Sequence, residues 1–189
     1  GSNVTGITDA WPVALQLELF SKIVPGVKKW GTIYNPAEPN SVFFVELMRA
    51  SAKRMGLELV EAHVNHPAQV TAAAETLTGK VKAIFTPADI TVASNLQALI
   101  DFCEKHRVAL FVGGGDGSRE VLASYGIDYY LVGYAAGKRA ALVLKGSKPG
   151  TIPWGTVDKF SLVINLRTAR ALGITVSPEK LRLADQVIE

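Results

Sequence analysis

Two aspartates, Asp89 and Asp116, and one polar turn, Asn35-Pro36-Ala37-Glu38-Pro39-Asn40-Ser41, carry the side chains best suited to chemistry. Paired carboxylates can exchange protons, cap helices, or accept hydrogen bonds from a ligand's ammonium or hydroxyl groups, and residue type leaves all three open. The polar turn stands where a strand gives way to a helix. There the first unpaired backbone N–H groups and the positive end of the helix dipole favour polar and anionic groups. Other chemistries lack their residues. His63, His66 and His106 show no metal-ligand spacing, no CxxC pair occurs, and no G-x-S-x-G elbow is present. Gly113, Gly115 and Ser118 have the spacing of a dinucleotide fingerprint, but they follow the fourth predicted strand instead of the first, and a P-loop lysine is missing. No metal, cofactor or catalytic residue is expected, and the chain reads as a non-enzyme.

These residues must be positioned by alternating strands and helices. Val13 to Val24 has apolar residues at helical spacing and a Pro25-Gly26 stop; Trp30 to Tyr34 reads as a buried strand. Val42 to Gly56 is a helix whose N-cap is expected at Asn40 or Ser41, and Leu57 to Val64 is a strand whose Glu58 and Glu61 place it at an exposed edge. A short helix over 70–77, a strand over 81–85, a helix from Thr91 to His106 and a strand over 108–112 follow. Beyond them come a short helix over 119–123, a strand over 125–127, a helix over 131–144, a connector over 148–153, a strand over 160–166 and a helix over 167–172. Ser177-Pro178-Glu179 opens a final helical turn. This rhythm predicts an α/β fold with a doubly wound parallel sheet, Rossmann-like or flavodoxin-like. In such a sheet the carboxyl ends align, so the loops 35–41, 86–91 and 113–118 converge on one crevice.

The bulk numbers fit one folded domain. The chain has 189 residues, 48% hydrophobic and 20% charged, with a net charge of +3. Its cations are scattered singly or in pairs, so no nucleic-acid partner is expected. Cys103 stands alone in an apolar helical setting, which excludes an internal disulfide and suits a buried structural thiol. No run is long enough to span a bilayer, and no signal peptide opens the chain. Gly1 to Gly6 reads as an interior start.

Five segments together carry a family likeness: Gly6-Ile7-Thr8-Asp9, the Tyr34 to Ser41 turn, Thr86-Pro87-Ala88-Asp89, Ser124 to Tyr130, and Leu162 to Leu166. In combination they resemble the ABC transporter substrate-binding protein family that includes tryptophan-binding lipoproteins, over nearly the whole chain. The resemblance implies a type I periplasmic-binding-protein fold of two α/β lobes. It also implies a periplasmic or extracytoplasmic location with lipid anchoring of the full-length protein, an ABC permease as partner, and a small aromatic or polar solute such as an amino acid held between the lobes. By the same resemblance Asn35, Glu38, Asn40 and Ser41 meet the solute's polar ends. Asp89 and Thr91 line a second wall, Asp116 borders the hinge, and Thr8 and Asp9 lie near the lobe crossing. The chain departs from the family pattern at Asp89-Ile90-Thr91, where members have Asp-Asn-Thr, and at Gly113 to Asp116, where they carry a more acidic loop; both suit a less charged solute. The likeness further implies that residues 1–121 and 151–189 form the second lobe and that 122–150 crosses to a first lobe mostly absent here. The apolar side of the 131–144 helix would then be orphaned, giving a route to a homodimer. A sensory ligand-binding module and a flavodoxin-like nucleotide binder or enzyme remain open alternatives.

Overall fold

The computed structural model describes residues 3–113 and 120–189. Its strands are β1 (Ile7–Thr8), β2 (Lys29–Tyr34), β3 (Glu58–His63), β4 (Ala83–Thr86), β5 (Ala109–Val112), β6 (Ala123–Ile127), β7 (Gly155–Thr156), β8 (Phe160–Asn165) and β9 (Gln186–Ile188). Its helices are α1 (Val13–Ile23), α2 (Pro39–Arg54), α3 (Val70–Glu75), α4 (Ile90–Ala93), α5 (Leu96–His106), α6 (Tyr129–Leu144), α7 (Leu166–Leu172) and α8 (Pro178–Leu181). Seven strands form the main sheet in the order β3-β2-β4-β5-β6-β8-β9. Pairing is parallel except between β6 and β8, which run antiparallel with Ala123 opposite Ile164. The expected parallel sheet holds from β3 to β6; β8, with β9 parallel to it, runs the other way, because the chain comes to β8 from β7 and not through a crossover helix packed on the sheet. As its acidic residues suggested, β3 is an edge strand.

Strands β4 and β5 are buried along their whole length, as a sheet covered on both faces requires. Alternate residues then serve two cores. Trp30, Phe85 and Phe111 join Leu17, Phe20 and Met48 of α1 and α2 on one face, whereas Ile33, Ile84 and Leu110 join Leu99, Ile100 and Cys103 of α5 on the other. Phe20 anchors the first core by stacking on Phe111 at 4.7 Å and meeting Phe85 edge-on at 5.1 Å. Burial pushes the Cys103 thiol up to about 12, so it is a packed, inert side chain.

Several local expectations change. Helix α2 starts at Pro39 with Glu38 as its N-cap, so Asn40 and Ser41 lie inside the first turn; proline at the first helical position, where no N–H is needed, moves the start forward. The expected helix from Thr91 to His106 is two helices, α4 and α5, broken at Ser94 and Asn95. The Ser94 hydroxyl donates to the Ile90 carbonyl at 2.7 Å, and Asn95 reaches away to the Pro67 carbonyl at 3.0 Å. Ala123 belongs to β6 instead of a short helix, and the C-terminal helical turn is followed by a strand, β9.

A smaller unit stands off the main body. Strands β1 and β7 pair in parallel, α6 packs beside β1, and no residue of α6 is buried. The chain passes between this unit and the main body three times: between β1 and α1, between β6 and α6, and between β7 and β8. The 122–150 segment therefore divides, since β6 is a strand of the main sheet and only the part from Asp128 onward lies outside it. Among the described residues, no helix is long and apolar enough to cross a membrane.

Candidate functional site

Strands β2, β4 and β5 run parallel, so the loops that follow them open on one edge of the sheet. The β2–α2 and β4–α4 loops are fastened together there by their own polar side chains. The Asn35 amide N–H donates to Asp89 Oδ2 at 2.7 Å, while Asp89 Oδ1 accepts from the Val92 N–H at 2.8 Å and so caps α4. Asn35 Nδ2 donates to Thr91 Oγ1 at 2.9 Å. Glu38 reaches across in the opposite direction: Oε1 accepts from the Thr91 amide at 3.0 Å and the Thr91 hydroxyl at 2.6 Å, and Oε2 accepts from the Ile90 amide at 3.0 Å. Asn40 Nδ2 donates to the Ala88 carbonyl at 3.0 Å, and Ser41 Oγ lies 3.3 Å from the same oxygen.

Six expected site residues, Asn35, Glu38, Asn40, Ser41, Asp89 and Thr91, are thus in one network. Asn35, Ser41, Asp89 and Thr91 are buried, and Asn40 is exposed. Glu38 meets three donors from the start of α4, with Ser41 Oγ at 3.4 Å from Oε2 as a fourth partner. A carboxylate has about four lone-pair positions; three are filled from the start of α4, and the single Ser41 hydroxyl hydrogen is shared between Oε2 and the Ala88 carbonyl, so little capacity is left for a ligand ammonium group. The network is a clasp that sets the shape of the wall. Thr8 lies in β1 opposite Thr156, and Asp9 begins the first passage between the two units, where its Oδ2 accepts from the Tyr129 hydroxyl at 3.1 Å. Asp116 and the glycine spacing beyond Gly113 lie outside the described residues.

The clasp also titrates. Partial burial would raise the Glu38 pKa above its ordinary value near 4.5, but hydrogen bonds from Thr91, Ile90 and Ser41 outweigh it and the net shift is downward. At the sheet edge Arg49 holds Glu61 low in the same way, through Nε–Oε1 and Nη2–Oε2 contacts of 2.6 and 2.8 Å. A carboxylate depressed in the folded state contributes stability above its unfolded pKa and loses it as pH falls through the folded one. Melting temperature should therefore drop below about pH 4.5, and Glu38→Gln should flatten that acid limb; a limb of unchanged steepness contradicts the assignment.

Sequence reasoning missed Trp11. Its ring lies against Gly113, where an added Cβ would fall 1.3 Å from Trp11 Cζ3. Together with Thr86, Pro87, Asp89 and Val112, this pair lines a crevice of about 70 Å³ at the carboxyl ends of β4 and β5. The indole also meets Phe44 at a centroid distance of 5.9 Å. Burial raises the Tyr129 hydroxyl pKa, and a hydrogen bond with Trp11 opposes the rise, which links the crevice to the start of α6. The only available signal was Trp-Pro ahead of a helix, which reads as a helix start. A larger groove of about 600 Å³, bordered by Gln97, Glu104, Arg167 and Gln186, lies along α5 and β9 and shares no residue with the clasp. The fixed loops and the indole converge on the smaller crevice. At about 70 Å³ it is far below the roughly 300 Å³ of a pocket that encloses a small ligand. What the arrangement offers chemically is a fixed shape and an aromatic face.

A mostly parallel sheet thus gathers its loops at the carboxyl edge, and the chain passes three times between it and a smaller unit. The model for the family described as ABC transporter substrate binding protein matches residues 1–188, and the chain belongs to that family. A Tyrosine-binding protein of Clostridioides difficile (strain R20291) is 34% identical over 173 residues, which is 91% of this chain and 50% of that protein. The chain thus spans about half the length of that relative. An ABC domain in complex with L-Trp from Streptococcus pneumonia is 34% identical with a TM-score of 0.92, over 100% of this chain and 64% of that one. A periplasmic binding protein/LacI transcriptional regulator from Alkaliphilus metalliredigens QYMF, complexed with D-xylulofuranose, is 14% identical with a TM-score of 0.60 over 82% of this chain and 63% of that one. That last likeness bears on the fold alone, which is of the type I periplasmic-binding-protein kind.

Proposed function

We propose that this chain supplies one wall of an extracytoplasmic solute-binding protein serving an ABC importer, and that the solute is a small amino acid with an aromatic side chain. The observation that carries the reading is the crevice itself: an indole held against Gly113, beside two loops that the Asn35–Glu38–Asp89–Thr91 clasp keeps in fixed register. In this reading the clasp positions, while the Trp11 ring and the exposed Asn40 amide meet the solute. The two relatives bear on the solute's class, one being described as tyrosine-binding and the other as an L-Trp complex. Capture follows when a second surface closes over the floor, a hinge motion whose equilibrium the solute biases by its better fit to the closed state. The three passages between the units, at Asp9, Asp128 and Asp158, are where such a hinge would bend. No chemistry is performed on the solute. The exposed apolar side chains of α6, among them Tyr130, Tyr134 and Leu144, are in this reading the packing surface for the part of such proteins that the chain does not span.

Saturation-transfer NMR of the chain against L-tyrosine, L-tryptophan, a pentose and a nucleotide tests the proposal. The two aromatic amino acids should bind weakly, with transfer strongest at their ring protons, because one wall buries only part of a ligand. Transfer to the nucleotide or pentose in preference to the amino acids would overturn it.

A further inference from the structure

The amino edge of the main sheet, opposite the crevice, collects a positive charge that the sequence disperses. Lys28 and Lys29 stand at the start of β2, Lys82 immediately precedes β4, and Arg107 lies just ahead of β5. The pairing of Trp30 with Ala83 and of Ala83 with Ala109 brings these residues to one level. Lys53, Arg54 and Lys105, from the last turns of α2 and α5, join them at the same edge. All seven are exposed. The favourable dipole of a helix C-terminus accounts for the helical ones and for Arg107, the C-cap of α5, but it gives no reason for Lys28, Lys29 and Lys82. Of the carboxylates at this edge, Glu58 is paired with Lys29 at 2.9 Å, while Glu104 and Glu120 border the grooves alongside α5 and Glu189 follows β9, so the basic stretch runs from β2 to β5 and not along the whole edge. In the middle of the edge lies an apolar groove of about 350 Å³, floored by Val24, Val27, Leu172 and Ile174 and flanked by Lys82 and Arg107.

We propose that this edge is a docking surface for a membrane rich in anionic phospholipid headgroups. Cations around an apolar groove match an anionic amphiphile: the long lysine stems lie along apolar surface while their ammonium groups meet phosphate, and the groove accepts hydrocarbon from the interfacial layer. Single-stranded nucleic acid fits less well. It needs aromatic platforms for its bases, and the exposed rings Phe43, Tyr129, Tyr130, Tyr134 and Trp154 all lie away from this edge, at the start of α2 or on the smaller unit. The inference does not depend on which solute binds.

Vesicle co-flotation tests it, using phosphatidylcholine vesicles with and without phosphatidylglycerol. The chain should float with the anionic vesicles alone and lose binding as salt is raised. The triple variant Lys28→Glu, Lys82→Glu, Lys105→Glu should lower partitioning by at least about 100-fold, from about fivefold per lysine lost at an anionic surface, with repulsion of the added carboxylates on top. A control that makes the same change in net charge elsewhere, Lys138→Glu, Lys145→Glu, Lys148→Glu, should bind nearly as the parent does. Circular dichroism confirms that both variants are folded, and the salt dependence of the unmodified chain stands as a test even if the triple variant does not fold. Equal binding to neutral vesicles, equal loss in the control, or binding of a single-stranded RNA with no vesicle binding would each overturn the proposal.

Discussion

Replacing Asp89 with alanine should destabilise the chain by about 3 kcal/mol, among the larger effects available to a single polar side chain here. The carboxylate accepts from two backbone donors, the N–H groups of Asn35 and Val92, at 2.7 and 2.8 Å in a buried setting. Removing it strands both donors, at about 1–3 kcal/mol each for a buried group left unpaired, and it also removes the N-cap of α4. For a domain of this size the melting temperature should fall by roughly 10 °C. Asp89→Asn retains one acceptor but turns an amide N–H₂ group toward a donor, so it should lie between the two. Chemical denaturation of the three proteins checks the order. A loss below about 1 kcal/mol in Asp89→Ala would mean that water replaces the carboxylate and that the loops are not fastened there.

The second large effect belongs to Gly113. Its backbone does not need a positive φ, and what an alanine would meet first is the Trp11 ring, 1.3 Å from where the new Cβ would sit. Gly113→Ala should cost about 1–3 kcal/mol by overpacking and push the indole out of the crevice, weakening any aromatic ligand. The cause can be isolated with a double-mutant cycle. In a Trp11→Ala background the same change should be nearly neutral, so the coupling energy should equal most of the single-mutant cost. Additive effects would show that Gly113 is constrained by something other than the indole.

Much of the architecture was legible because strand and helix patterns state themselves locally. Ile33, Ile84 and Leu110 could be placed in strands from runs of apolar residues, and β3 could be placed at an edge from Glu58 and Glu61. The antiparallel β8 was not legible, since Phe160 to Asn165 reads the same in either direction and its partner is set by the path of the chain. The α4–α5 break depends on where the Ser94 and Asn95 side chains find carbonyls, and one of those belongs to a distant loop. At the site, the polar residues of the two loops could be named from turn chemistry and helix starts. Their partners could not. Glu38 looks like a ligand carboxylate in sequence, and only the fold shows it bonded to Ile90 and Thr91. Trp11 is 102 positions from Gly113, and no local pattern links an indole to a distant glycine. The basic edge escaped notice for a related reason: each βα unit contributes only one or two cations, and the sheet register collects them.

The central claim, that the Trp11–Gly113 crevice is the solute floor, is tested most directly by the Trp11 indole N–H resonance of ¹⁵N-labelled chain during titration with L-tyrosine. The resonance, assigned through Trp11→Phe, should shift progressively together with the Gly113 amide and the Asn40 side-chain amide. The indole of Trp30, fully buried in the core, should stay still. Shifts confined to the groove along α5 and β9, or a Trp11 resonance unmoved while L-tyrosine demonstrably binds, would contradict the account.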